Sequence, residues 1–330
     1  MSRIAPNLIQ APRPRYVAPL TFTSRLLRRF APLLALLTLL VLTGCSLARK
    51  RAEVPPGAAR RNHIDGIGRT VSVISKPNRI ISLAPNLTEI LFAIGLDERI
   101  VGVTSYCDFP AAALTKERVG DTLLPNPEKI IGLKPDLVLV TTSSQLESLT
   151  QQLDNLSIPV YVTNPRTTRD IVGTIRLLGE VTGQAQSANE LADGMQNRIQ
   201  RIEERTKQLP RVRVLYILQL NPLIVPGRGT FLNDLINLAG GESISGLEVT
   251  DYPQFSRETV LARSPEVILL PSGHSDASSE QDELRRLFRN TPAVRAARVV
   301  TVSADLVDRP GPRIVDGLEQ VAQALHPESP

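Results

Sequence analysis

Glu128-Lys-Ile-Ile-Gly-Leu-Lys-Pro135-Asp-Leu-Val-Leu-Val140 places a glutamate, a short helical stretch, a proline and a buried strand within thirteen residues. Glu258-Thr-Val-Leu-Ala-Arg-Ser-Pro265-Glu-Val-Ile-Leu-Leu270 gives the same order in the second half of the chain. Glutamate and proline stand seven apart in both, and an acid follows each proline. One helix–proline–strand junction is ordinary in any α/β chain. The same register once per half implies two lobes of related topology. Each glutamate falls near a predicted helix start, where a carboxylate favours the helix dipole, and a capping role accounts for either one alone. As an equivalent pair they also offer one surface acid per lobe, which a two-fold symmetric partner can grip with arginines.

Around the repeat, predicted strands alternate with helices. Strands fall at Thr70–Ile74, Arg79–Leu83, Ile100–Val103, Asp136–Val140 and Val160–Val162. A helix follows Pro85, with Asn86 or Thr88 as its cap, and runs to Ile94 before Gly95. Further helices are expected at 128–133 and 144–156. Alternation at this spacing indicates βαβ units and parallel sheets. Between Thr168 and Leu209 the pattern changes. Ile171, Ile175, Leu178, Val181, Ala188, Leu191, Met195, Ile199 and Ile202 recur at helical steps with one break near Gly183, so this is one long helix or two. An unbroken helix over 185–208 would be roughly 35 Å long, enough to join two lobes as a rigid strut. The alternation resumes at Arg213–Leu218 and ends in a helix over 313–325. The fold class is α/β: two lobes with parallel sheets, 70–167 and 210–330, joined by a long rigid interdomain helix within 168–209.

The chain has 330 residues and a formal charge of +5, unevenly placed. Residues 1–44 hold six basic residues and no acid, and 49–61 adds four net positive charges, so 62–330 is net −5. The basic charge therefore sits outside the folded body, which argues against a nucleic-acid partner. Ala31–Leu42 is almost wholly apolar, follows Arg25, Arg28 and Arg29, and is too short to span a bilayer. It has the length and flanks of a signal-peptide core. It ends in Leu42-Thr43-Gly44-Cys45, which resembles a bacterial lipobox, so 1–44 is expected to be cleaved and Cys45 lipidated. Residues 45–69, rich in Arg, Pro, Ala and Gly at their start, are read as the lipidated end and a flexible tether. Cys107, the other of two cysteines, then has no disulfide partner and is expected to be a small, half-buried apolar residue.

Arg79-Ile-Ile-Ser-Leu-Ala-Pro-Asn-Leu-Thr-Glu89, Gly102-Val-Thr-Ser-Tyr-Cys-Asp-Phe-Pro110, Asn126-Pro-Glu-Lys-Ile130 with Leu133-Lys-Pro-Asp136, Asp251-Tyr-Pro-Gln254 with Ser256-Arg-Glu258, and Ser303–Arg313 together resemble the iron-siderophore/vitamin B12 class of periplasmic binding proteins. The resemblance covers about 79–327, looks closest to cobalamin-binding members, and implies that the two lobes are Rossmann-like. It implies an extracytoplasmic, lipid-anchored binding protein that carries a corrinoid in the interlobe cleft to an ABC permease dimer and its ATPase, with no cofactor of its own. The family's docking glutamates fall on Glu128 and Glu258. Its ligand contacts fall on Tyr106, on Tyr252, and on the segment Asp305, Leu306, Val307, Asp308 and Arg309. The chain has no tryptophan; Tyr252 and Thr122 stand where such cobalamin binders carry one. A ferric siderophore or haem is the alternative ligand.

Enzymatic readings find little support. Gly-x-Ser-x-Gly, a Walker loop and a complete Gly-x-Gly-x-x-Gly are all missing from the sequence. His63, His274 and His326 are scattered, too few and too far apart for a zinc or manganese site. His274-Ser-Asp276 is too local for a triad, whose members come from separate elements. A long helix between lobes also predicts modest closure, because bending it would break its hydrogen bonds.

Overall fold

A computed structural model describes residues 59–142, 147–272 and 277–328. All fall within one unit, Ala58–Pro330. Residues 1–44, expected to be a cleaved signal, and Cys45, His274 and Asp276 lie outside the described residues. In the first lobe β1 (Arg60–Ile64) and β2 (Thr70–Ile74) form a hairpin. Then follow β3 (Ile80–Ser82), α1 (Pro85–Ala93), β4 (Ile100–Val103), α2 (Pro127–Gly132), β5 (Leu137–Thr141), α3 (Glu147–Asn155) and β6 (Val160–Thr163). Two helices come next, α4 (Thr168–Thr182) and α5 (Ala185–Thr206). The second lobe holds β7 (Val212–Tyr216), α6 (Phe231–Leu238), β8 (Gly241–Ser243), α7 (Arg257–Arg263), β9 (Val267–Ser272), α8 (Ala277–Leu287), α9 (Pro292–Arg295), β10 (Val299–Ser303), α10 (Ala304–Val307) and α11 (Ile314–Leu325).

The lobes share one topology. The four-stranded sheets run β4-β3-β5-β6 and β10-β9-β7-β8, both wholly parallel. Numbered within each lobe, both orders are 2-1-3-4. The thirteen-residue repeat matches down to its backbone. Asn126 and Ser256 cap α2 and α7 by accepting the amides of Lys129 and Thr259. Lys134 and Ser264, each just before the proline, have φ of 47° and 48°. The acid after each proline pins the adjacent strand: Asp136 accepts the Arg79 amide at 3.0 Å, and Glu266 accepts the Arg213 amide at 2.9 Å. Arg79 and Arg213 in turn donate to the carbonyls of Leu133 and Ser264.

Two expectations are corrected. Residues 60–64, assigned to the tether, form β1, and the hairpin covers the edge of the first sheet. The Gly66 amide donates to the Val162 carbonyl at 2.6 Å and the Arg69 guanidinium to that of Val160 at 3.0 Å. An open edge would otherwise be free to pair with another chain. The α1 cap is Ala84, with Asn86 and Thr88 inside the helix; Thr88 instead donates to Ser82 at 2.8 Å.

The interdomain segment is two helices. Gly183 ends α4 in the left-handed conformation, φ 75°, which glycine adopts without a Cβ penalty. At 22 residues α5 is about 33 Å long. It starts against Gly179, whose added Cβ would stand 2.3 Å from that of Ala188. It ends where Thr206 donates to the Leu238 carbonyl of the second lobe. One apolar core takes in Leu137 and Leu139 of the first sheet, Ile175, Leu178, Ala192 and Met195 of the helix pair, and Val214, Tyr216 and Leu269 of the second sheet. The outer face of each sheet has a separate core. Wide opening of the lobes would expose the shared core, so the fold favours small movements. Gly179→Ala is expected to lower stability by about 1–3 kcal/mol through overpacking at the α4–α5 crossing, read as a fall in the thermal midpoint.

Candidate functional site

Residues past the carboxyl ends of strands from both lobes face an interlobe cleft of about 570 Å³. This is where open parallel sheets hold ligands, beside the point at which strand order reverses. The first lobe contributes Pro85 and Asn86 after β3, Tyr106 after β4, Thr142 after β5 and Arg166 after β6. The second contributes Phe231 at the start of α6, Asp251 and Tyr252 beyond β8, and Asp308 and Arg309 beyond β10.

Four consecutive residues divide the work of the loop after β4. Tyr106 is 55% exposed and lines the cleft. Cys107 points the other way and is fully buried, deeper than its sequence suggested, beside Thr88 and Thr104. Asp108 accepts from Arg309 at 2.6 Å, and Phe109 lies under Arg313, 3.9 Å from ring centroid to guanidinium. Arg118 braces the loop by donating to the carbonyls of Thr104 and Cys107. Tyr252, 49% exposed, lines the cleft from the second lobe. Partial burial and the neighbouring Asp251 carboxylate raise its hydroxyl pKa.

Charged pairs join the lobes. Arg309 meets Asp108 at 2.6 Å, Asp305 at 2.7 Å and Glu89 at 3.4 Å. Arg313 adds two bonds to Glu89, at 2.6 and 2.9 Å. Glu89 belongs to α1 of the first lobe and its side chain is 2% exposed. The hydrogen bond from Arg309 holds the Asp108 carboxyl below its usual range. Asn86 donates to the Pro310 carbonyl, a further link. On another wall, Arg166 makes a two-pronged pair with Asp251, one prong at 2.6 Å. That hydrogen bond lowers the Asp251 pKa. Asp308 accepts from the buried Tyr216 hydroxyl at 2.5 Å. Three arginines and five acids thus leave the cluster formally net −2.

The expected contact segment 305–309 is only partly at the cleft. Asp308 and Arg309 line it, and Asp305 supports Arg309 from the side. Val307 is fully buried in the shared core and Leu306 packs against that core. Both belong to α10, and one helical turn cannot present all its side chains to one side. Thr122 does line the cleft. Glu89, Asp108, Arg166, Asp251 and Arg313 were not singled out in the sequence, although all but Arg166 lie inside the quoted motifs. Arg166 had no local signal; its partner is 85 positions away.

Glu128 and Glu258 occupy the same place in α2 and α7, two residues past the cap, and both are exposed. Neither forms an ion pair among the described residues. The local backbone amide and the Ser256 hydroxyl lower the Glu258 pKa.

Two α/β lobes of one topology, with a ligand-sized cleft at the ends of their strands, define a two-lobed solute receptor. The chain belongs to the periplasmic binding protein family, whose pattern matches residues 80–306. It is 29% identical over 309 residues to an uncharacterized ABC transporter substrate-binding lipoprotein, YvrC, of Bacillus subtilis, covering 89% of this chain and 96% of that one. It is 32% identical over 259 residues to the vitamin B12-binding protein of Vibrio cholerae, covering 78% and 93%. The crystal structure of the periplasmic vitamin B12-binding protein BtuF of Vibrio cholerae matches with a TM-score of 0.69 and 31% identity, over 76% of this chain and 96% of that one. The protein is a substrate-binding component of an ABC importer, which works with a permease and its ATPase, and not an enzyme. No helix among the described residues is long and apolar enough to cross a membrane.

Proposed function

We propose that the cleft takes cobalamin or a related corrinoid and that the loaded protein presents it to the permease through Glu128 and Glu258. The observation that carries the ligand reading is the cleft's charge pairing. Arg166 and Arg309 are already matched by carboxylates, while Tyr106 and Tyr252 offer two half-exposed aromatic faces, one per lobe. A flat, amide-rimmed ligand without strong net charge suits such a site, since it needs apolar faces and a few polar rim contacts. A ferric siderophore or haem would bring anionic groups to arginines that are already taken. The vitamin B12-binding relative at 32% identity supports the same reading. Tyr106→Ala is expected to weaken cyanocobalamin binding about tenfold, by loss of an aromatic contact. Calorimetric titration checks it, and an unchanged affinity would remove Tyr106 from the site.

Delivery rests on the equivalence of Glu128 and Glu258. They present two like charges from pseudo-symmetric positions, as a permease dimer with paired arginines would require. The sequence before the folded unit supports an anchor at Cys45, and a lipoprotein relative, YvrC, supports it too. Two or more acyl chains would hold the protein on the membrane surface. Cys45→Ser is expected to move it into the soluble fraction of the cell envelope; retention with the membrane would sink the anchor.

A further inference from the structure

We infer that Asp251 is a specificity residue: its carboxylate occupies Arg166 and so closes the cleft to anionic ligands. This deepens the neutral-corrinoid reading above and rests on it for the choice of excluded class. Arg166 is 43% exposed at its side chain and lines the cleft, as does Asp251. Unpaired, such a guanidinium would readily donate to a carboxylate or catecholate, in the bidentate geometry that arginine favours.

The fold is shaped around the pair. Gly229 leaves room for it: a Cβ there would stand 2.7 Å from the Arg166 guanidinium and 3.4 Å from the Asp251 carboxylate. Gly227 allows the Asp251 segment to approach; its amide donates to the Asp251 carbonyl at 2.7 Å, and a Cβ would collide with the Thr250 carbonyl. On the other side, the Arg166 amide donates to Asp170 at 3.0 Å, which holds the turn that aims its side chain. The pair is therefore supported from both lobes rather than being a chance meeting of surface side chains.

The second cleft arginine is protected differently. Arg309 has Asp108, Asp305 and Glu89 around it, so losing one acid leaves it paired. Among the described residues, Asp251 is the one carboxylate that forms an ion pair with Arg166. A single substitution there therefore frees a cation that lines the cleft.

The test compares the full chain with Asp251→Ala, and with Asp251→Asn to separate lost charge from lost packing. The probes are cyanocobalamin and a trianionic ferric tris-catecholate complex, followed by quenching of tyrosine fluorescence. Both variants should bind the iron complex at least tenfold more tightly than the native chain, and added salt should shrink the gain. Arg166→Gln placed on Asp251→Ala should abolish it. No gain in variants that melt like the native chain would overturn the inference, as would a gain that survives Arg166→Gln. Native protein that binds cyanocobalamin, with no gain on substitution, leaves the corrinoid reading standing and sinks this one. A native chain that binds no corrinoid, with variants that gain the iron complex, does the reverse.

Discussion

Glu128→Ala combined with Glu258→Ala is expected to cut transporter-dependent uptake about a hundredfold, roughly tenfold for each lost charge contact. Ligand affinity should not change. The reason is geometric: both glutamates sit at the starts of short helices, exposed, and neither borders the cleft. Each backbone is fixed by its own cap, Asn126 or Ser256, so removing the carboxylate leaves α2 and α7 in place. Single substitutions should give intermediate losses, because one lobe would still dock. Uptake of labelled cyanocobalamin in cells carrying the cognate permease, beside titration of the purified variant, separates the two effects. A variant that loses ligand affinity would show that the glutamates serve the cleft and not delivery.

Glu89→Ala is expected to cost about 3 kcal/mol or more in stability. Glu89 is buried in α1 and accepts two hydrogen bonds from Arg313, one on each oxygen, and one from Arg309. Deleting it leaves Arg313, whose side chain is 20% exposed, without the acceptor that raises its pKa. Removing one partner of a buried pair costs more than the pair itself contributes, since a desolvated charge is left behind. Arg309 keeps Asp108 and Asp305, which limits the damage. For a unit of this size the loss corresponds to roughly 5 °C in thermal midpoint, readable by circular dichroism. A shift of under about 2 °C would mean that solvent already reaches the cluster and that it joins the lobes only weakly.

Much of the architecture was legible because it depends on local pattern. The glutamate–proline register showed two related lobes, and the structure extends it to caps, left-handed residues and strand-pinning acids. The break at Gly183 was visible as a glycine between two apolar stripes. The hairpin strand β1 was not visible: Arg60-Arg-Asn-His-Ile64 has no apolar alternation, and its role is to cover an edge, not to fill a core. β8 has three residues, too few for any periodicity. The site divides in the same way. Tyr106, Tyr252 and Arg309 stood within motifs and line the cleft. Treating 305–309 as one block brought in Leu306 and Val307, which a helical turn directs into the core. The local Asp305–Arg309 pair was within reach of sequence spacing, but the ionic links between distant segments were not. Glu89 meets Arg309 and Arg313 across 220 and 224 positions, and charge alone does not reveal which distant residues the fold will bring together.

The central proposal is that this substrate-binding protein carries a corrinoid between two aromatic faces, beside arginines already paired with acids. The folded unit Ala58–Pro330 keeps the β1 strand that a lobe starting at Thr70 would leave out. Calorimetric titration of that unit with cyanocobalamin and dicyanocobinamide, beside haemin and a ferric tris-catecholate, is the direct measurement. One-to-one binding of at least one corrinoid, tighter than either iron complex, is the expected result. Binding of an iron complex with no heat from either corrinoid would contradict it.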